Sequence, residues 1–296
     1  MIRRSMLVLA LSVFVATPGM AQQPAARANA GNAPNLVPRL VLAVNEGAAG
    51  NVDASDILLR YERFKMVIER ALGGPIVMVP VRGAANLRRS LESKTFGLVL
   101  SRPVDVLAEA VRDYGYQPVV AAREVGHAYF IVVNESKIKT IADIRGTRIV
   151  TPDRFAYMWR IANAMMRDNK IDMASENVKS MSDQAGIAWT LERDFYDVGV
   201  VASFSGVGRT WEKKSGRVIA KSRELPTVPM VASPKIPATD IAKIRAALTA
   251  LDSSDAGVAI LKEVGVTGFK EIGATPFIDL LTWLGEVPRA GEAESK

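Results

Sequence analysis

The chain contains one histidine and no cysteine, so any chemistry it performs rests chiefly on hydroxyls, carboxylates, lysines and arginines. Disulfides, thiolate metal sites and cysteine nucleophiles are excluded. His127 alone cannot assemble a metal cluster, and no Walker loop, zinc-helix motif or dinucleotide glycine pattern is present. What remains is a set of junctions where an apolar run meets hydroxyl or charged residues just before a helix start. The backbone N–H groups at such a junction lack intrahelical partners, and with the positive end of the helix dipole they hold anions.

The most informative junction lies in residues 141–159, IADIRGTRIVTPDRFAYMW. It reads as a short turn, a glycine, an apolar strand and a threonine–proline helix start. Thr151 is read as a ligand donor or as a plain N-cap. Arg154 is read as a bidentate clamp for an anion or as a solvated first-turn side chain. Tyr157 and Trp159 line a cleft or form an apolar helix stripe. Asp153 can cap this helix itself, which makes it a poorer anion site than an open terminus. Ser101-Arg102 precedes Pro103, a helix-start signal, and forms a second junction. Asn45 and Glu46 end the first apolar run, where Glu46 suits an amine or simply a turn. Ser203 and Ser205 offer hydroxyls beyond a later strand, and His127 is a hinge or cleft residue.

These residues need elements to position them. Residues 39–44 form an apolar run that reads as a buried strand. Residues 56–72 place Ile57, Leu58, Tyr61, Phe64, Val67, Ile68 and Leu72 on one helical face, and Gly73-Gly74 supplies the stop. Strands at 75–81, 96–100 and 118–121 alternate with helices at 84–93 and 104–112. The alternation resumes with strands at 129–133, 149–150, 197–201 and 217–220 and helices at 155–167 and 183–193. Helices at 238–251, 256–264 and 277–284 close the chain. Strands alternating with helices predict an α/β fold with mostly parallel sheets. Two such segments predict two lobes, with crossings at 123–128 and 220–231. Ligands of open α/β sheets bind beyond the carboxyl ends of the strands, so two facing lobes predict a closing cleft.

Residues 1–21 carry the pattern of a signal peptide: Arg3 and Arg4, an apolar run from Met6 to Ala16, and the small-x-small site Gly19-Met20-Ala21. The run is too short to span a membrane. The expectation is a soluble, exported, monomeric protein in a periplasm. A lipoprotein anchor is excluded, since it needs a cysteine. Loss of Arg3 and Arg4 lowers the formal charge from +7 to +5. Mild basicity steers anionic small molecules, while the interleaving of Lys and Arg with acids argues against nucleic acid. Residues 22–38 are rich in Ala, Asn, Pro and Gln and are expected to be a disordered leader.

Three segments carry a family resemblance. Residues 137–150, KIKTIADIRGTRIV, are similar to the "DL-x-G" element of periplasmic substrate-binding proteins. Residues 225–229, LPTVP, are similar to the "iP-x-x-P" return crossing, and residues 260–269, ILKEVGVTGF, to the "iL-x-x-lG-x-x-gF" tail. In this order they resemble the binding proteins of phosphate/phosphonate ABC transporters over residues 40–284. The resemblance implies a type II periplasmic-binding-protein fold, with two hinged lobes each built on a central sheet flanked by helices. It implies no catalysis, no cofactor and no metal, a small phosphate- or phosphonate-like ligand clamped between the lobes, and an ABC permease as partner. Lobe 1 would comprise 39–125 and 223–286, lobe 2 residues 126–222, and 287–296 a tail. It also implies ligand contacts from Ser101 and Arg102, from Tyr61 as an aromatic near the ligand, and from Asp197, which sits in a stretch similar to "G-x-v-D-a-g" and would meet a ligand amine. The chain departs from the family at Phe155, Ala156 and Tyr157, which stand where small hydroxyl residues are expected. A periplasmic sensing module, capture of an organic solute without phosphorus, and an enzyme using Glu46 and Asp197 are the competing readings.

Overall fold

The computed structural model describes residues 40–47 and 53–286. The signal segment, the leader and the tail from 287 lie outside the described residues. In chain order the first elements are β1 (Val41–Asn45), α1 (Ala54–Leu72), β2 (Val77–Pro80), α2 (Ala84–Glu92), β3 (Leu98–Ser101), α3 (Asp105–Tyr114) and β4 (Gln117–Ala122). A second run follows: β5 (Ala128–Val133), β6 (Arg148–Pro152), α4 (Tyr157–Asp168), β7 (Asn177–Met181), α5 (Gln184–Glu192), β8 (Val198–Ala202), α6 (Gly206–Lys214) and β9 (Gly216–Lys221). The chain then continues through β10 (Met230–Ala232), α7 (Ala238–Thr249), α8 (Asp255–Val264), β11 (Phe269–Lys270) and α9 (Thr275–Leu284).

The strands form two sheets, β11-β4-β10-β3-β1-β2 and β7-β6-β8-β5-β9. In the first, β1 to β4 run one way and β10 and β11 the other. In the second, β6 to β9 run one way and only β5 opposes them. The sheets are therefore mostly parallel in direction but mixed in pairing. The opposed β5 and β10 are the strands that receive the chain as it arrives from the other sheet.

The amphipathic pattern decides which faces are covered. Helix α1 buries Ile57, Tyr61, Phe64 and Ile68 of the stripe its spacing predicts, with Val67 and Leu72 half-buried and Leu58 exposed, and stops at Gly73, whose φ of 72° suits a residue without Cβ. With α7 and α8 it covers one face of the first sheet. Each fully buried side chain of this size contributes about 1.5–3 kcal/mol. The other face of that sheet, with α2, α3 and α9, joins the α4 face of the second sheet in one continuous apolar cluster. That cluster runs from Val99 and Leu107 through Phe277 and Leu281 to Tyr157, Ile161 and Phe130. Helices α5 and α6 cover the remaining face of the second sheet.

Four elements escape the sequence patterns: β7, α6 and the two- and three-residue strands β11 and β10. Strand β7, NVKSM, is an edge strand with mostly exposed side chains, so it has no apolar alternation. Helix α6, GVGRTWEKK, contains two glycines, yet Ser205 caps it by accepting from Gly208 N at 2.9 Å. Trp211 anchors it by donating from Nε1 to Val132 O at 3.0 Å.

The two crossings pair with each other. Gly126 and Leu225 exchange both backbone hydrogen bonds at 2.9 Å, and Ala122 N donates to Thr227 O at 2.9 Å. Thr227 Oγ1 donates to Glu124 O at 2.6 Å. Gly126 is required there: a Cβ would come within 2.9 Å of Thr227 Cγ2 and 3.0 Å of the Phe204 ring. Val228 sits at φ 45°, a strained conformation for a β-branched residue.

Candidate functional site

The strand directions place the carboxyl ends of β1, β2, β3 and β4, and those of β6, β7, β8 and β9, at the edges from which the crossings spring. The region between these edges is the candidate site. Its wall on the first sheet carries Asn45, Glu46, Ser101 and Arg102; its wall on the second carries Thr151, Arg154, Tyr157 and Ser203.

The first-sheet residues form a closed structural cluster. Asn45 donates from Nδ2 to Val81 O at 2.8 Å and accepts from Gly47 N at 2.9 Å, tying the ends of β1 and β2 together. Glu46 is buried and accepts from Tyr61 Oη, from Arg102 Nε at 2.6 Å and from Arg60 Nη1 at 3.5 Å. Arg102 Nη2 donates on to Val264 O at 2.6 Å. Burial lifts the Tyr61 phenol far above its usual range, against the opposing pull of Arg102. Tyr61 is fully enclosed, and Ser101 Oγ donates to Pro103 O at 2.7 Å.

On the second sheet the threonine–proline helix start is corrected. Strand β6 runs through Thr151 and Pro152, and α4 begins at Tyr157 with Ala156 as its N-cap. Thr151 is fully buried in the ladder and its Oγ1 reaches Lys179 O at 3.4 Å. The pattern misplaces this start because proline, a common first helical residue, here ends a strand. Asp153 forms a local turn, accepting from Phe155 N at 3.1 Å. Arg154 is exposed and lies 4.9 Å from the centre of the Phe155 ring, itself 78% exposed. Ser203 Oγ accepts from His127 N at 3.0 Å, and His127 Nδ1 meets Ser222 O at 2.8 Å, so both belong to the first crossing. Trp159 packs against the core and lines a cavity of about 460 Å³ beside β7, with Asp172 and Glu176.

Asp197 is not in the cleft. It precedes β8 rather than following it, so it sits at the far end of the sheet. There it accepts from Arg148 through the backbone N at 2.7 Å, Nε at 3.0 Å and Nη2 at 2.6 Å. These hydrogen bonds hold its carboxyl below the usual range. A ligand contact from Asp197, and its pairing with Glu46 in an enzyme, are therefore ruled out by position.

The structure also brings together residues that the sequence reading did not select. At the seam between α3 and α4, Arg160 Nη1 donates to Asp105 Oδ2 at 2.5 Å and lies 3.7 Å from Glu109, while its Nη2 meets Glu286. Arg88 forks onto Glu109 at 2.7 and 2.9 Å and lies 3.8 Å from Asp105. Tyr157 is enclosed beside this group. Burial raises both its phenol and the Asp105 carboxyl, the latter against the pull of Arg160 and Arg88. Asp105 and Arg160 are 55 positions apart, so no local motif reveals them; the only signal is the spacing of Asp105 and Glu109 on one face of α3. Among the described residues no cluster of His, Asp and Glu suits a metal ion, and no helix is long and apolar enough to cross a membrane.

Comparison with known proteins fits this geometry. A family model described as the periplasmic substrate-binding protein of phosphonate ABC transporters matches residues 47–275. No curated protein matches the sequence. Among solved structures, a Xanthomonas citri protein bound to ATP superposes with a TM-score of 0.67 at 15% identity, over 83% of this chain and 96% of that one. PhnD1 of Prochlorococcus marinus in complex with methylphosphonate gives 0.63 at 10% identity, over 82% and 96%. The aliphatic sulphonate binding protein SsuA of Escherichia coli gives 0.55 at 13% identity, over 84% and 84%. At these identities the structures establish the two-lobed fold, and the family model establishes membership. The chain belongs to the periplasmic substrate-binding proteins of phosphonate ABC transporters.

Proposed function

We propose that the protein captures a small phosphonate-like anion between its lobes, by closure about the paired crossings, and delivers it to an ABC permease after export through the 1–21 segment. The observation that carries this reading is the crossing pair itself. Gly126 and Leu225 pair where the chain passes between the two sheets, and among the described residues the chain passes from one sheet to the other only through these two segments. Ligand contacts to both walls would then favour the closed arrangement by their differential affinity for it. Arg154, just beyond β6, is an exposed cation available to such a ligand. Asn45, Glu46, Tyr61 and Ser101 shape the first wall, and Arg102 is committed to Glu46.

A solute without phosphorus is the second reading, and one observation favours it. Two helix starts carry their own acids: Asp153 precedes α4 and accepts from Phe155 N, and Asp183 caps α5 by accepting from Ala185 N and Gly186 N.

Thermal melts with methylphosphonate, phosphate, methanesulfonate and simple carboxylates separate these readings. A ligand at a hundred times its Kd adds about 2.7 kcal/mol, which for a chain of this size raises the Tm by about 5 °C or more. A phosphonate response supports the first reading; a response confined to carboxylates or sulfonates supports the second. No response to any of them contradicts capture of such anions.

A further inference from the structure

Two enclosed polar atoms at the seam, Asp105 Oδ1 and Tyr157 Oη, have no hydrogen-bond partner. They come from opposite walls: Asp105 is the first residue of α3 and Tyr157 the first of α4. The surrounding groups are paired, since Asp105 Oδ2 holds Arg160 and Arg88 is committed to Glu109. Buried polar groups are costly to leave unpaired, and one reason native folds keep them is a partner that arrives later.

The chemistry of that partner is constrained. Burial raises the Asp105 carboxyl against the pull of Arg160 and Arg88, and the 2.5 Å contact of its Oδ2 with Arg160 is the ion pair of its ionised form, whose second oxygen only accepts. Whatever completes Asp105 Oδ1 must therefore donate. Tyr157 keeps its proton, because burial raises its phenol, so it can donate, as can Arg160. The fitting group offers one donor and several acceptors on one centre. A singly protonated phosphonate does so, with its P–OH as donor and its other oxygens as acceptors. A sulfonate of the same tetrahedral shape has acceptors only, and sets lone pair against lone pair at Asp105. An ammonium group has donors only, and leaves the Tyr157 hydroxyl without an acceptor.

We propose that Asp105, Tyr157 and Arg160 form a subsite for a protonated phosphonate oxygen, reached when the lobes part, so that the protein accepts a phosphonate and rejects the isosteric sulfonate. This rests on the reading of the protein as a solute-capture protein and names what sets its selectivity. It also accounts for the missing hydroxyl cluster at 155–157: the phosphoryl group is read by the seam instead of by a serine-rich helix start. Inorganic hydrogen phosphate carries the same donor and acceptors.

Calorimetric titration at neutral pH with methylphosphonate, methanesulfonate and inorganic phosphate tests the subsite. The wild-type protein is expected to bind methylphosphonate about 10- to 100-fold more tightly than methanesulfonate, the range of a charge-assisted hydrogen bond. Phosphate binding more tightly than methylphosphonate makes it the better occupant of the same subsite and supports the assignment. In Asp105→Asn the new amide donates to a sulfonate oxygen, and the ratio should fall below about threefold. Tyr157→Phe removes only an unpartnered oxygen; it should weaken methylphosphonate several-fold without lowering the Tm, and it serves as the test if Asp105→Asn fails to fold. Equal wild-type affinity for phosphonate and sulfonate overturns the subsite while leaving solute capture intact. So does a ratio that survives Asp105→Asn, or a Tyr157→Phe variant that loses stability and keeps its affinity, the behaviour of a Tyr157–Asp105 bond that is merely structural. Binding of none of the three overturns the functional reading as well.

Discussion

Two clusters, each holding a carboxylate, a phenol and a guanidinium, lie enclosed in the protein, and they differ in how completely they are paired. Glu46, Tyr61 and Arg102 lie on one wall, and every polar atom of the group that is enclosed has a partner within the protein. Asp105, Tyr157 and Arg160 span both walls, and two enclosed oxygens have none. A carboxylate, a phenol and a guanidinium can thus serve as a brace or as a receptor. Residue type does not separate the two roles; the accounting of donors and acceptors does.

The sharpest way to break this comparison is to remove each carboxylate or guanidinium in turn. Glu46→Ala strands the enclosed Tyr61 hydroxyl and the Arg102 guanidinium, and should cost about 3 kcal/mol. Chemical denaturation should show that loss, and the phosphonate-to-sulfonate ratio of the folded fraction should stay unchanged. Arg160→Met leaves Asp105 with Arg88 alone and should cost about 2 kcal/mol. Unlike the first variant it should also weaken ligand binding, measured by titration. A brace-like outcome at Arg160, with stability lost and binding kept, would erase the distinction. Trp211→Phe, away from both clusters, loses one buried hydrogen bond to Val132 and should cost about 1 kcal/mol with binding unaffected.

The smallest expected effect is at Asp197, whose ion pair with Arg148 is partly exposed and screened by solvent. Its folded pKa is depressed, so its contribution is present above the unfolded value near 3.9 and is lost as pH falls through the folded one. Asp197→Asn should lower the neutral Tm slightly, converge on the wild type at low pH where that contribution is already lost, and so flatten the acid limb below about pH 4, with ligand binding unchanged. An effect on binding would return Asp197 to the site.

The legibility of the sequence follows the same division. Local patterns sufficed where a segment's own residues determine its state: the α1 stripe, the Gly73 stop, and the Leu225-Pro226 crossing opposite Gly126. They failed where the outcome depends on a partner distant in the chain. The motif resemblance assigns Asp197 to the ligand, although the expected strand at 197–201 already has it at the amino end, where β8 leaves it. Thr151-Pro152 was misread because proline opens helices and ends strands alike. Asp105 and Arg160 were invisible, since each is an ordinary helical charge until α3 and α4 meet. Tyr157 was selected, but for the cleft mouth; packing against α3 turns it inward.

The central claim is capture by closure, and small-angle X-ray scattering with and without saturating methylphosphonate tests it most directly. The account predicts a decrease in radius of gyration on addition of methylphosphonate and none with methanesulfonate at the same concentration. An unchanged radius at a concentration where calorimetry shows the site to be filled would contradict it.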